Sequence, residues 1–172
     1  CPNPEKADAI FRMIVLGLYL PDGRETPRYL SRPEIMKMME LGRKAGNIAM
    51  RYMEILRFEE LENGILYARI APKSDILTFL IPHFADRLPA DNFIIYDENR
   101  GIFGLHPQFH DWYLVTHQNF DTSMLHFSQN ETIYRELFTC FCQSVAIQER
   151  KNPALQMNML PKRFRPYMVE FR

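Results

Sequence analysis

The chain has 172 residues, of which 47% are hydrophobic and 13% aromatic, so one domain can bury a core of ordinary size. Its 21 basic and 21 acidic residues cancel, so the overall charge gives no reason to expect a strong, non-specific binder of polyanions. Any nucleic-acid surface would have to be a local patch. The segment 149–172 is one such patch, because its six basic residues against two acids give it +4, which leaves −4 for the rest.

The cysteines and the apolar runs bear on where the chain works. Cys1, Cys140 and Cys142 do not form the pattern of a disulfide framework, so we expect a reducing, cytoplasmic setting. The longest apolar run, "FRMIVLGLYL", is shorter than a bilayer span and contains Arg12, so it does not predict a transmembrane helix. We expect residues 1–172 to form a single domain, and because the first residue is Cys rather than Met, we expect them to begin inside a longer gene product or to follow a cleaved tag.

Two helices are predicted at the start of the chain. In "PEKADAIFRMIVLGLYL" the apolar residues recur at helical spacing and place Ile10, Phe11 and Ile14 on one face, before "LPDG" ends the helix. Ser31 is a candidate N-cap for the second helix, which has Pro33 in its first turn and runs through "EIMKMMELGRKAGNIAMRYM".

The pattern then changes to that of strands. Two β-prone runs flank Asn63-Gly64, which is the strongest short signal for a tight hairpin. A helix follows in "SDILTFLIPHFADRL", where Pro82 is expected to kink or divide it. The stretch "NFIIYDENRGIFGLHPQFHDWYLVTH" contains three short strands with a charged turn at 97–100, and it predicts a meander.

A last long helix is predicted after Ser128-x-x-Glu131, which has the spacing of a capping box. Its apolar residues are expected to face the core: Ile133, Leu137, Phe138, Phe141 and Val145. The resulting order is α-α-β-β-α-β-β-β-α. It predicts an α+β fold in which an antiparallel sheet of about five strands, a hairpin plus a three-stranded meander, packs against helices.

No complete catalytic or cofactor-binding motif is present in the sequence. It has no nucleophile elbow, no Gly-rich phosphate loop and no radical-SAM cysteine triplet, so no cofactor is expected. His106 and His110 have the spacing of metal ligands on a helix, but Pro107 and the flanking strands favour a polar loop, and no metal site is predicted. His83 fits either a general acid or base or a hydrogen-bonded structural histidine.

Four arginines lie near strand ends and turns: Arg51, Arg57, Arg87 and Arg100. Guanidinium groups that converge on one surface bind phosphate well, because their donors match its oxygens in a fork. The same groups form ordinary ion pairs when carboxylates are near, as Glu59 and Asp97 are in sequence. Both interpretations are open at this point.

Two long stretches resemble a single bacterial family. They are "RYMEILRFEELENGILYARIAPKSDILTFLIPHFADRLPADNFIIYDENRGIFGL" and "AIQERKNPALQMNMLPKRFRPYMVEF", with "PHFADR", "IIYDENR" and "ERKNPALQMNMLPKRF" as their most specific pieces. They are similar to a domain-of-unknown-function family described as acting in DNA metabolism. The resemblance implies two kinds of partner, a radical-SAM protein of DNA repair or modification and a uracil-DNA glycosylase-like protein. The family has a further region ahead of Pro4, so the resemblance also implies that residues 1–172 are the C-terminal part of a longer protein. It implies no reaction.

With this resemblance, the leading hypothesis is an accessory domain of DNA repair or base modification that binds DNA or a DNA-processing partner. Its DNA surface would use seven basic residues: Arg51, Arg57, Arg87, Arg100, Arg150, Lys162 and Arg163. One alternative is an enzyme acting on a DNA base or nucleotide, with His83 and either Asp97 or Glu149 as acid–base groups. The other is a protein-interaction module, which would expose a large aromatic patch.

The basic C-terminal segment is expected to be ordered. Its apolar residues, which include Leu155 and Met159, are too many for a solvated tail. We expect a clasp with a short turn or helix from Pro153, whose apolar side chains fold back on the domain and hold Lys162 and Arg163 near the sheet.

Overall fold

The computed structural model describes residues 2–116, 125–168 and 171, and within them the predicted order of helices and strands is confirmed. The end of the predicted last strand, at residue 117, lies outside the described residues. The elements are α1 (Lys6–Tyr19), α2 (Pro33–Ile55), β1 (Glu59–Glu60), β2 (Leu66–Ile70), α3 (Leu77–Arg87), β3 (Phe93–Asp97), β4 (Ile102–His106), β5 (Tyr113–Thr116), α4 (Gln129–Ser144) and α5 (Pro153–Met159), with 3-10 turns at Gly23–Arg28, Gln148–Arg150 and Lys162–Tyr167.

The five strands form one sheet in the order β1-β2-β3-β4-β5. The predicted hairpin of β1 with β2 and the predicted meander of β3, β4 and β5 are both antiparallel. The two units meet in a parallel pair, in which Leu66 lies opposite Phe93 and Ile70 lies opposite Asp97. The sheet is therefore mixed rather than wholly antiparallel, because α3 carries the chain from the end of β2 back to the start of β3.

The turn between β1 and β2 is built around Asn63 and Gly64. The Leu61 N–H donates to the Ile65 carbonyl at 2.9 Å, and Asn63 Oδ1 accepts from the Ile65 N–H at 3.2 Å. Gly64 has a φ of +77°, which glycine adopts without the steric cost that a Cβ would bring. The hairpin predicted from these two residues is confirmed.

Helix α3 packs on the sheet with one apolar face. Four of its side chains are buried: Leu77, Leu80, Ile81 and Phe84. The sequence predicts a kink or break at Pro82, and the predicted break is wrong, because α3 continues through that residue. A proline inside a helix removes one backbone hydrogen bond at a cost of about 3 kcal/mol, which burial of several large apolar side chains offsets.

Strand β4 lies against α3 at Gly104. A Cβ added to Gly104 would lie 2.7 Å from Ile81 Cγ1 and would collide with Ile81 Cδ1. The helix can approach the sheet this closely because position 104 has no side chain.

Helix α4 is attached to the edge strand β1 through polar groups. The Ser128 hydroxyl accepts from the Glu131 N–H at 3.1 Å, which confirms the predicted N-cap. Glu131 Oε2 accepts from the Glu60 N–H at 2.9 Å, while Arg135 pairs with Glu59 and with Glu131 Oε1. Glu59 and Glu131 are only 3% and 7% exposed, so Arg135 supplies the opposite charge that two buried carboxylates need.

The apolar face of α4 does not pack into the core, and the prediction that it does is wrong. Its large apolar side chains are exposed: Ile133, Leu137, Phe138, Phe141 and Val145. The hydrogen bonds and ion pairs that join α4 to β1 are made by Glu131 and Arg135 instead. The predicted α1 forms, yet Phe11 and Ile14 are also exposed. Despite these apolar faces, no helix in the described part of the chain has the length and hydropathy to cross a membrane.

Candidate nucleic-acid interface

The C-terminal segment is anchored to the core by aromatic and apolar side chains. Phe164 is 4% exposed, and its ring meets that of Tyr52 edge-on with centroids 5.3 Å apart. Met168 is buried in the same cluster. The predicted ordered clasp is confirmed at these residues. Leu155 and Met159 do not fold back as expected, since both remain more than half exposed.

The local sequence explains why a helix restarts after the turn that follows α4. Asn152 Oδ1 accepts from the Leu155 N–H at 3.0 Å, and Pro153 occupies the first turn, so α5 is capped in the usual way. The 3-10 turn at 148–150 lies between α4 and α5 and places Arg150 and Lys151 at the point where the chain changes direction.

A groove of about 670 Å³ is bounded by the end of α4, this turn and α5. Its polar lining consists mainly of two cations and four side-chain amides: Arg150, Lys151, Gln143, Gln148, Asn152 and Gln156. Among the residues that the structure describes, no Asp or Glu lines it. We call it the cationic groove. Guanidinium, ammonium and amide N–H groups are the donors that hold phosphate oxygens.

The other predicted basic residues are distributed over the surface. Lys162 and Arg163 are exposed in the 3-10 turn after α5, and the Arg163 guanidinium lies 4.9 Å from the Phe164 ring centroid. Arg51 pairs with Glu54 at 3.0 Å on α2. Arg87 is exposed at the end of α3, and neither it nor Arg51 lines the cationic groove.

Arg57 lies in a different cavity, close to α4. Its Nη1 donates to the backbone carbonyls of Glu54 and Leu56, at 3.3 and 3.2 Å, and its guanidinium lies 5.7 Å from the Phe138 ring centroid. Arg150, Lys162 and Arg163 therefore share the C-terminal segment, whereas Arg57 is held beside the aromatic face of α4.

Arg100 is engaged by groups of its own domain. It pairs with Asp97 at 2.8 Å and donates to the carbonyls of Pro72 and Lys73 at 3.0 and 2.8 Å. Asp97 is 0% exposed, and burial raises the pKa of its carboxyl group although Arg100 opposes the shift. The sequence allows Arg100 to bind either a phosphate or a carboxylate. In the structure it forms an ion pair with a carboxylate, that of Asp97.

The proposed acid–base groups are found in three separate settings. His83 is exposed on α3, with its ring 5.0 Å from that of Phe84. Asp97 is enclosed at the end of β3, and Glu149 is exposed in the turn after α4. Within the described ranges, no hydrogen bond or salt bridge links any two of the three. A buried Asp97 beside Arg100 is arranged to hold a turn rather than to meet a substrate.

His106 is the last residue of β4, and His110 lies in the loop that follows it. His106 is 5% exposed, stacks on Phe93 with centroids 4.7 Å apart, and its Nδ1 lies 3.1 Å from the Asp91 carbonyl. His110 Nδ1 lies 2.7 Å from the Gln108 carbonyl. In the portion of the chain that the structure describes, no three side chains form a cluster able to hold a metal ion.

Comparison with known families places the chain. A family model described as a domain of unknown function, DUF4130, matches residues 4–170, nearly the full length. The chain belongs to the DUF4130 family. No curated protein and no solved structure matches it.

Sequence reasoning overlooked parts of the DUF4130 surface. Lys151 and Gln143 line the cationic groove but are not among the residues predicted for a DNA surface. Lys151 is adjacent to Arg150 in sequence, so its charge was a usable signal. Arg135 was also missed. Its spacing of four from Glu131 is a helical ion-pair signal, but Glu59, 76 residues away, carries no local signal.

Proposed function

We propose that the DUF4130 domain is an accessory of DNA repair or base modification that binds DNA through phosphates held in the cationic groove. The observation that carries the proposal is the lining of that groove, where Arg150 and Lys151 stand among amide side chains. A polyanion is attracted to such a surface, and amide groups add donors and acceptors for sugar and base edges.

The charge distribution of the chain supports the same proposal. The segment 149–172 has a charge of +4 within a chain whose formal net charge is zero. Repulsion from the −4 of residues 1–148 would favour DNA lying along the C-terminal segment rather than elsewhere. Lys162 and Arg163, exposed in the following turn, extend the positive surface beyond the groove.

The accessory role rests on the family resemblance. It favours a radical-SAM protein or a uracil-DNA glycosylase-like protein as the enzyme that the domain would serve. The domain would hold DNA while the partner supplies the chemistry, because His83, Asp97 and Glu149 do not form a common site.

The test is fluorescence anisotropy with labelled oligonucleotides, both single-stranded and duplex, over a series of salt concentrations. We expect binding at low salt that weakens steeply as salt rises. Arg150→Ala with Lys151→Ala removes two phosphate contacts, so it should lower the slope of log K against log salt by about 1.4 to 1.8.

The matched control is Lys6→Ala with Arg32→Ala, which removes the same charge from exposed positions at the starts of α1 and α2. This pair should leave the salt slope unchanged. Absence of any complex at low salt would overturn the proposal, and so would an equal loss of affinity in the two double variants.

A further inference from the structure

A second cavity, of about 760 Å³, lies between α4 and the edge of the sheet. Four aromatic side chains line it: Phe58, Tyr134, Phe138 and Phe141. We call it the aromatic cavity. Its volume falls within the range of about 300 to 1,000 Å³ that is usual for sites that enclose small organic groups. Tyr134 and Phe141 are 63% and 58% exposed, so their rings are accessible from outside.

The charged groups of the aromatic cavity balance one another. Its lining includes two arginines, Arg57 and Arg135, and two glutamates, Glu60 and Glu131. Arg135 is bonded to Glu131 at 3.0 Å, and Glu60 accepts from the Ser128 hydroxyl at 2.8 Å. A cavity of this kind has no net attraction for phosphate. It suits an uncharged, flat group with polar edges, which is the chemistry of a nucleobase.

The aromatic cavity and the cationic groove lie next to each other along α4. Phe138 lines the first and Cys142 lines the second, and residues four apart are neighbours on the surface of a helix. Phe141 lines the first surface and Gln143 the second, and because side chains two residues apart point to different sides of a helix, the two surfaces open on different sides of α4. A single extended ligand that crosses over α4 would meet donors for phosphate on one side of the helix and aromatic rings on the other.

Single-stranded DNA can use both surfaces without first breaking base pairs, whereas a duplex would have to flip a base out of its stack. In a duplex the bases are stacked on each other and paired, so their faces are closed to protein side chains. In a single strand the faces are open, and stacking on aromatic rings together with a cationic track is the general mode of single-strand binding. The Arg57 guanidinium above Phe138 adds a cation beside the stacking surface.

We infer that the DNA bound by this domain is single-stranded, with phosphates in the cationic groove and at least one base inserted in the aromatic cavity. The inference rests on the proposed function, because it names the form of DNA that the same surface takes. Asn130, which also lines the cavity, is placed to donate to and accept from the edge of an inserted base.

The experiment compares three labelled oligonucleotides of one length: a single strand, its duplex, and a strand whose nucleotides are all abasic. The wild-type domain should bind the single strand about fivefold or more tightly than the abasic strand, since stacking of one base on an aromatic side chain supplies at least that factor. The single strand should also be preferred over the duplex.

The diagnostic variant is Tyr134→Ala with Phe141→Ala, which removes two exposed rings from the cavity. Its affinity for the single strand should fall about fivefold or more, to that of the abasic strand. The matched control, Tyr29→Ala with Phe79→Ala, removes one tyrosine and one phenylalanine that are 43% and 52% exposed and line neither cavity. The control should bind the single strand like wild type.

The outcomes separate this inference from the proposed function. If none of the three oligonucleotides binds at low salt, the proposed function fails and the inference with it. If DNA binds but the duplex or the abasic strand binds as tightly as the single strand, the inference alone fails. The inference also fails alone if the Tyr134/Phe141 variant keeps full affinity for the single strand. If sedimentation then shows that this variant no longer associates with other copies of the chain, the two rings serve a protein contact instead.

Discussion

Arg100 holds the β3–β4 turn against the loop that leads into α3. Three of its hydrogen bonds go to the carbonyls of Pro72 and Lys73 and to the Asp97 carboxylate. Asn99 adds a third contact between the turn and this loop, since its side-chain amide donates to the Pro72 carbonyl at 3.1 Å. The polar residues of "DENR" therefore fix the carboxyl ends of the two parallel strands, β2 and β3.

Replacing Arg100 should be costly because it leaves the Asp97 carboxylate buried without its opposite charge. We expect Arg100→Ala to lower the free energy of unfolding by about 3 kcal/mol. Arg51→Ala is the matched control, because the Arg51–Glu54 pair is 38% and 59% exposed and should contribute no more than about 1 kcal/mol. Urea unfolding followed by circular dichroism measures both. Equal losses in the two variants would contradict a structural role for Arg100.

At this scale the sequence predicts the contacts between near neighbours and not those between distant ones. Arg100 and Asp97 are three residues apart, so their pairing could be foreseen as one of two interpretations. The pair of Arg135 with Glu59 joins α4 to β1 across 76 residues. The residues next to Glu59 in sequence do not indicate that it is buried, because the element that covers it is α4, which lies about 70 residues further along the chain.

At the scale of elements, Gly104 sets how closely α3 approaches the sheet. The helix presents Leu77 and Ile81 to this position, and the Ile81 side chain occupies the space that a Cβ would need. Strand residues are usually larger, and glycine in a strand often marks close approach of another element. The sequence "GIFGLH" contains that signal at Gly104. It does not show which helix approaches the strand, because this depends on how α3 crosses the sheet between β2 and β3.

We therefore expect Gly104→Ala to destabilise the domain by about 1 to 3 kcal/mol through overpacking against Ile81. Gly42→Ala is the control with the same chemical change, because nothing lies within 4 Å of a Cβ at that position on α2. This control should stabilise the domain by up to about 1 kcal/mol, as Ala is the better helix former. Thermal unfolding of the two variants should shift in opposite directions. A shift of Gly104→Ala to higher temperature would refute the packing argument.

Periodicity predicts that a helix forms more reliably than it predicts which face is covered. The apolar spacing of α1 and α4 gave both helices correctly. In α4, however, the apolar residues are exposed, because the buried contact with β1 is made by Glu131 and Arg135. An apolar stripe in the sequence predicts that one face of a helix will be covered, but it does not predict which element or partner covers that face.

At the scale of the whole molecule, the C-terminal segment closes the domain over residues far away in sequence. Phe164 packs on Tyr52 of α2, and the Arg69 guanidinium of β2 lies 5.9 Å from the Tyr167 ring centroid. The sequence predicts that this segment is ordered because of its apolar content. It could not show that Phe164 and Met168 become buried while Leu155 and Met159 stay at the surface.

Removing the Phe164 ring should loosen the attachment of the C-terminal segment to α2. We expect Phe164→Ala to cost about 3 to 5 kcal/mol, the usual loss for a buried phenylalanine. Trypsin should then cleave after Lys162 and Arg163 faster than in wild type. Phe79→Ala, which removes a ring that is 52% exposed, serves as control and should change neither stability nor cleavage appreciably. Unchanged proteolysis in Phe164→Ala would show that other contacts hold the segment.

The cationic groove has a further consequence, because its lining residues fall between Thr139 and Phe171 and include none from the sheet. A surface built from one continuous stretch of chain can open and reclose as its own cooperative unit, while the strands keep their hydrogen bonds. Amide hydrogen exchange in α4 and α5 should then be faster than in β2 and β3. Bound DNA would slow amide exchange in α4 and α5 alone. Binding would therefore be detected as local protection of these helices and not as a change in the free energy of global unfolding.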